Sequence, residues 1–238
     1  KRRIGMAEKI LVIGESGSGK TYSMRNLDPS ETFYICPDEK DLPFKGGDSK
    51  YVTEYDGNSV KWESTNKVET TSPGSIMKIL KYISEKRTDI KVVVIDTITQ
   101  MMTDEFMTRS QEVGYGKFTE MAKNPYDIMK LIRRLRSDLT VVVYAHSETD
   151  DKSKETFKRM FVPGGKLLKE KATPEALFTV VLETSVTYDK NEGNKYYFKT
   201  MNQGDGIAKS PEGMFDAYLI ENDITDVLEK MREFKQND

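Results

Sequence analysis

The sequence holds one cysteine, Cys36, and one histidine, His146. A lone cysteine excludes an intramolecular disulfide and any cysteine-based metal site. A lone histidine excludes most zinc hydrolase centres and restricts Ser–His or Cys–His nucleophile pairs to His146 itself. No apolar run approaches the ~20 residues needed to cross a bilayer. Nothing reads as a signal peptide either, so a cytoplasmic protein with no membrane association is expected. Neither sign of charge dominates, with 37 basic and 39 acidic residues giving a net charge of −2. A strongly basic chain would point to nucleic acid on charge alone; here such a surface has to be a local patch. There is no internal repeat and no low-complexity tail. A chain of 238 residues suits one larger domain, or a core with a sizeable insertion.

What is present alternates. Lys9 to Ile13 is an apolar run ending at Gly14, the pattern of a buried parallel strand, and a Gly-rich loop and a helix to about Leu27 follow. Thr32 to Cys36 is a second strand, closed by Pro37 and the charged cluster Asp38-Glu39-Lys40-Asp41. A polar insertion spans about 44–71, in which Tyr51 to Tyr55 and Val60 to Glu63 are expected to form a small edge hairpin around Asp56-Gly57-Asn58. Ser72-Pro73 is a cap-and-proline helix start, and Ile76, Ile79, Leu80 and Ile83 follow at helical spacing, predicting a helix over 73–86. Val92 to Ile95 is a strand leading into Asp96, and Asn124-Pro125 repeats the helix-start signal ahead of Ile128, Leu131, Ile132 and Leu135. Thr140 to Ala145 is a fourth strand ending at His146. Beyond a charged loop over 147–166, a β-rich part at about 172–220 holds strands Phe178 to Tyr188 and Lys195 to Met201, joined by a turn at Asn191-Glu192-Gly193-Asn194. Ile224, Val227, Leu228, Met231 and Phe234 mark a last amphipathic helix. Strands alternating with helices predict one α/β domain over 1–238. Its mostly parallel sheet is flanked by helices and followed by an antiparallel hairpin and a terminal helix.

Gly14-Glu15-Ser16-Gly17-Ser18-Gly19-Lys20-Thr21 satisfies the G-x-x-x-x-G-K-[ST] pattern in full, between a predicted strand and a predicted helix. Glycines let backbone N–H groups close around phosphate oxygens where a Cβ would intrude. In such a loop Lys20 binds the β- and γ-phosphates and Thr21 ligates Mg²⁺. Val92-Val93-Val94-Ile95-Asp96 has the form of the strand whose terminal carboxylate holds the magnesium shell. Asp38 and Glu39, after the second strand, are the candidates for orienting the attacking water, with Glu39 slightly favoured on reach. His146 occupies the position of a γ-phosphate sensor; a strand-end histidine satisfied by backbone is the plain alternative. From Thr156 to Lys171 the cations Lys158, Arg159, Lys166, Lys169 and Lys171 face one acid, Glu170, with Phe157 and Phe161 among them. Cations interleaved with aromatics suit single-stranded nucleic acid, and Lys158, Arg159 and Lys166 are the candidate contacts; a solvated loop is the alternative. A second candidate segment lies between Thr103 and Lys123, with Arg109, Tyr115, Lys117 and Phe118.

The order GESGSGKT, a strand with a trailing acidic cluster, VVVIDT and VVVYAHSE resembles the RecA-like P-loop ATPase core. More narrowly, the chain resembles compact phage-encoded P-loop ATPases of the AAA type, some of them single-strand annealing recombinases. FVPGGKLLKEKATPEALFTVVLET and KYYFKTMNQGDGIAKSPEGMF extend that similarity into the C-terminal half. The resemblance implies a RecA-like sheet, ATP and Mg²⁺ as cofactors, ATP hydrolysis, single-stranded DNA as partner, assembly into a ring or filament, and work in the host cytoplasm. Lys199 and Lys209 match the basic residues that complete a neighbouring subunit's site in such assemblies. Two departures stand out: His146 is where RecA has a glutamine, and no polymerisation domain precedes the P-loop, which argues against filaments of the RecA kind. A GTPase is disfavoured, because Asp96-Thr97-Ile98-Thr99 breaks the DxxG pattern and Asn66-Lys67-Val68-Glu69 stands on the wrong side of it. A nucleotide-switched binding module with slow turnover and a small-molecule kinase are the remaining alternatives.

Overall fold

The computed structural model describes residues 6–150, 157–163 and 173–236. In chain order its elements are β1 (Glu8–Gly14), β2 (Thr32–Cys36), α1 (Gly47–Lys50), β3 (Tyr55–Asp56), β4 (Ser59–Val60), β5 (Lys67–Glu69), α2 (Pro73–Lys86), β6 (Val92–Ile95), α3 (Ile98–Thr108), α4 (Gly116–Ile132), β7 (Thr140–Asp150), β8 (Phe157–Met160), β9 (Val180–Asp189), β10 (Gly193–Lys199), β11 (Leu219–Glu221) and α5 (Ile224–Gln236).

Among the described residues the main sheet runs β11-β10-β9-β1-β7-β6-β2-β5, with β8 attached to β7, and β3-β4 form a separate hairpin. β9, β1, β7, β6, β2 and β5 are parallel; β10 and β11 turn antiparallel at one edge. β1 and β6 are therefore not neighbours, because β7 lies between them. The fold is the α/β arrangement with a mostly parallel sheet and an antiparallel edge that the alternation predicts.

Both faces of the sheet are covered, so its central strands read as unbroken apolar runs. Alternation along β1 divides the core. Leu11 and Ile13 join Ile79 and Leu80 of α2, Ile98 and Met101 of α3, and Ile128 and Met129 of α4. Ile10 and Val12 join Met24, Leu27, Phe198, Val227 and Leu228 on the opposite face. α2 starts and ends where its sequence predicts: the Ser72 hydroxyl accepts from the Ser75 N–H at 3.3 Å. It buries Ile76, Ile79, Leu80 and Ile83, each worth about 1.5–3 kcal/mol when removed from water.

Four expectations are corrected. The segment after the P-loop is a short 3-10 turn, Thr21–Met24, and not a helix to Leu27; Pro29 pushes Asp28 out of the α region, and Asp28 Oδ1 takes the Ser30 N–H at 2.8 Å in a turn. The hairpin around Gly57 is confined to Tyr55–Asp56 and Ser59–Val60 and stands apart from the main sheet. Asn124-Pro125 starts no helix: Pro125 lies inside α4, and the Asn124 amide donates to Glu105 of α3 at 2.7 Å instead of capping. The apolar side of α4 runs through Met121, Ala122, Ile128, Met129 and Ile132 without interruption, enough to hold the helix across a missing N–H. Lastly, β7 does not stop at Ala145. It continues to Asp150 and pairs antiparallel with β8, from Ser147↔Met160 to Asp150↔Phe157, so a ribbon replaces the first part of the expected charged loop. No helix among the described residues is long and apolar enough to cross a membrane.

Candidate nucleotide-binding site

The carboxyl ends of β1, β2 and β6 open onto one cleft of about 550 Å³, joined by His146 of β7. Crevices at this end of a parallel sheet are where open α/β folds bind ligands. The loop between Gly14 and Thr21 forms its floor. Gly19 has φ 94°, a left-handed conformation that favours glycine. At Gly14 a Cβ would lie 1.8 Å from Thr184 Oγ1 of β9, so only glycine fits. Thr184 Oγ1 sits 2.7 Å from Ser18 Oγ, bracing the loop from beneath.

Lys20 folds back over this loop and donates to the Gly14 and Glu15 carbonyls at 2.9 and 2.8 Å. Burial pushes its ammonium down to about 8, against the pull of Asp96 and Asp38. Its Nζ lies 3.4 Å from His146 Nδ1. Burial, with Lys20 adding to it, also holds the imidazole below its ordinary range and so favours the neutral ring. The His146 backbone N–H donates to Thr99 Oγ1 at 2.9 Å, which pins the point where β7 leaves the sheet for the ribbon.

Thr21 Oγ1 donates to Asp96 Oδ2 at 2.5 Å, and the Tyr34 hydroxyl donates to the same oxygen at 3.3 Å. Asp96 Oδ1 is buried without a partner. Burial raises the Asp96 carboxyl to about 6. A buried carboxylate with an open oxygen beside a threonine hydroxyl fits Mg²⁺. That ion takes one or two protein ligands and draws the rest from phosphates and water. The described residues hold no cluster of three acidic, His or Cys side chains that would bind a metal alone.

The Asp96–Thr97 peptide is cis. Thr97 caps α3 by accepting from the Gln100 N–H, and it donates its own N–H and hydroxyl to Asp38 Oδ1 at 3.2 and 3.1 Å. Lys40 Nζ lies 2.8 Å from Asp38 Oδ2. Asp38 thus faces the cleft, whereas Glu39, with φ 51°, is exposed and does not line it.

The other candidates are placed as follows. Lys158 of β8 pairs with Glu15 of the P-loop at 3.1 Å. Arg159 stands opposite Glu148 in the ribbon. Lys166, with Lys169 and Lys171, lies outside the described residues. Lys199 is held inside its own chain by Glu183 and Asp205, and the backbone of Lys209 pairs with Val181 of β9. In the second candidate segment Arg109 is bound by Glu105, Glu112 and Glu120. Lys117 donates to the Arg109, Ser110 and Glu112 carbonyls. Tyr115 is 90% exposed and Val113 fully so.

Sequence reasoning missed Tyr34, Thr97, Lys40, Tyr22 and Tyr196, all of which line the cleft. Thr97 had a signal, standing directly after Asp96 at a helix start. Tyr196 and Thr184 had none, since only the pairing of β9 with β1 brings them to the loop.

Fold and cleft together define a P-loop nucleotide-binding protein. The AAA domain family matches residues 6–212, and the chain belongs to that family. Its structure is similar to that of flagellar accessory protein FlaH from Methanocaldococcus jannaschii, at 14% identity and a TM-score of 0.47, covering 91% of this chain and 85% of that one. No curated protein matches the chain.

Proposed function

We propose that the protein binds ATP with Mg²⁺ and hydrolyses it by direct attack of water on the γ-phosphate, coupled to single-stranded DNA. The observation that carries the reading is the Thr21–Asp96 hydrogen bond, formed beside the Lys20 ammonium by motifs 75 residues apart. In this reading the loop N–H groups and Lys20 hold the phosphates, Asp38 orients the water, and His146 reports the terminal phosphate to the ribbon. Magnesium would supply charge neutralisation on the β- and γ-oxygens, held by Thr21 and by Asp96. Lys158 on the ribbon and Tyr115 beyond α3 are the strand contacts. The setting is recombination, repair or replication of phage DNA in the host cytoplasm, as in the ATPases the sequence resembles. A homo-oligomer follows from the same resemblance; Lys199 could serve a neighbouring site only if its pairing with Glu183 and Asp205 opened.

A second reading, a nucleotide switch with slow turnover, draws on Asp38. Both of its oxygens are engaged, by Thr97 and by Lys40, so Asp38 takes up a water only by giving up one of these partners. Steady-state ATP hydrolysis with Mg²⁺, with and without single-stranded DNA, separates the two. DNA-stimulated turnover that falls at least about 100-fold in Lys20→Ala is expected, the scale of removing a charge-stabilising donor. Tight ATP binding with negligible turnover in both conditions establishes the switch instead. Turnover that persists in Lys20→Ala overturns the site.

A further inference from the structure

Phosphate binding leaves one corner of the cleft unused, where the P-loop meets the C-terminal hairpin. The Tyr196 ring of β10 rests on the open face of Gly19: a Cβ there would come within 2.8 Å of Cδ1. Tyr22, directly after Thr21, places its ring centroid 5.8 Å from that of Tyr196 at an interplanar angle of 43°. Both rings line the cleft that holds Lys20. The Arg25 guanidinium lies 4.5 Å from the Tyr22 centroid.

Beside them is Asn222, only 1% exposed. Neither its carboxamide oxygen nor its nitrogen has a hydrogen-bond partner, and Oδ1 lies 3.3 Å from the same Cβ position on Gly19. A buried primary amide with every donor and acceptor unmet is costly, and native structures seldom tolerate one without a use. The backbone here is fixed. Asn222 donates its N–H to the Tyr196 carbonyl at 3.3 Å, and its own carbonyl accepts from Arg25 at 2.5 Å. Asn26 is tied to Asp223 next to it.

A ligand anchored at Lys20 and running past Gly19 therefore meets two aromatic faces, with an unpartnered amide buried beside them. That is the chemistry of a nucleobase: π-faces stack on aromatic rings whatever the base, and an asparagine amide pairs with the N6 and N7 edge of adenine. We propose that Tyr22, Tyr196 and Asn222 form a nucleobase subsite that selects adenine over guanine. Guanine turns two acceptors, O6 and N7, toward an amide edge that sets one donor and one acceptor against them, so the carboxamide oxygen is left facing O6. Asn222 is covered in this structure, so the Tyr196 ring turns off Gly19 as the base enters. The subsite rests on the reading of the P-loop as a nucleoside triphosphate site.

The test is equilibrium binding of ATP, GTP and inorganic tripolyphosphate, each with Mg²⁺, to the full chain and its variants. Tripolyphosphate has no base and reads the P-loop alone. Tyr196→Ala is expected to weaken ATP about 10-fold and to leave tripolyphosphate unchanged, with Tyr196→Phe restoring ATP. Asn222→Leu, which removes the unmet amide at similar size, is expected to bring the ATP and GTP affinities together without loss of thermal stability. An equal fall for ATP and tripolyphosphate in Tyr196→Ala, or an unchanged ATP to GTP ratio in Asn222→Leu, overturns the subsite and leaves the P-loop reading standing. Failure of tripolyphosphate to bind the unaltered chain overturns the nucleotide reading and the subsite with it.

Discussion

Lys158 Nζ lies 3.1 Å from Glu15 Oε1, tying the β7–β8 ribbon to the phosphate-binding loop. The two side chains are 33% and 66% exposed, and an ion pair that open contributes at most about 1 kcal/mol. Such a contact holds the ribbon against the P-loop, yet is weak enough to yield to a competing phosphate. Because β7 passes through His146 before it becomes the ribbon, the His146 side of the cleft and Lys158 belong to one strand pair.

If Lys158 serves the DNA strand, Lys158→Ala lowers the slope of log affinity against log salt by about 0.7, the share of one phosphate contact on a single strand. Glu15→Gln releases the same lysine, so affinity rises a few-fold while the slope stays put. Fluorescence anisotropy with a labelled oligonucleotide between 50 and 200 mM salt, a range on the order of that over which counterion release is normally read, measures both. An unchanged slope in Lys158→Ala sends the strand elsewhere.

Thr21 and Asp96 share one short hydrogen bond, and Asp96 keeps Oδ1 open. Thr21→Ala and Asp96→Asn should each raise the Mg²⁺ concentration for half-maximal ATP hydrolysis about 10- to 100-fold, the usual cost of disturbing a metal's supporting shell. Binding of metal-free ATP by Thr21→Ala should be unaltered. A titration in which both variants keep the original Mg²⁺ midpoint removes these residues from the metal site.

Much of this frame was legible because its signals are local. β1, β2 and β6 are contiguous apolar runs that lead into the residues lining the cleft, and Ser72-Pro73 marks the start of α2 within a residue. Asn124-Pro125 gave the same signal and misled, because the Asn124 amide finds Glu105 on a different helix; only tertiary contact distinguishes the two cases. The ribbon was illegible for a related reason. Its residues His146-Ser147-Glu148-Thr149-Asp150 carry no apolar alternation, and their strand character comes from pairing with β8. In the cleft, the P-loop is one stretch of chain, whereas Tyr34 and Tyr196 arrive from the middles of β2 and β10 and Thr97 from the start of α3. Asn222 is further out of reach, since nothing in a sequence says that an amide will be buried without partners.

Lys9 reads in the sequence as an ordinary lysine at the start of a strand. It is buried, donates to the Met129 carbonyl at 2.9 Å and lies 4.9 Å from the Phe178 ring centroid. Burial, with Arg133 and Lys130 adding to it, lowers its pKa to about 8. The unfolded chain then holds more protons than the folded one between about pH 8 and the ordinary lysine value, so stability rises with pH across that window. Urea unfolding should show the rise in the native sequence and not in Lys9→Met, which should also be the more stable of the two at pH 7, the charge there being ~fully present. A parallel pH dependence in both proteins would falsify the assignment.

Tyr115 offers the sharpest separation of stacking from charge. It stands between α3 and α4, where the flanking cations are already committed: Arg109 to three carboxylates and Lys117 of α4 to three carbonyls. The loop is therefore braced while its tip stays bare, with Tyr115 90% exposed. A base stacked on that ring contributes through its π-face and releases no counterion, so Tyr115→Ala should weaken single-strand binding about 10-fold with no change in salt slope. Lys117→Met should likewise leave the slope alone, because its charge caps the chain and does not face a phosphate. That combination is the reverse of the behaviour expected of Lys158, and the same anisotropy series reads it. Full affinity in Tyr115→Ala means that the strand does not pass the loop, and a fall in slope for Lys117→Met means that the brace opens to take phosphate.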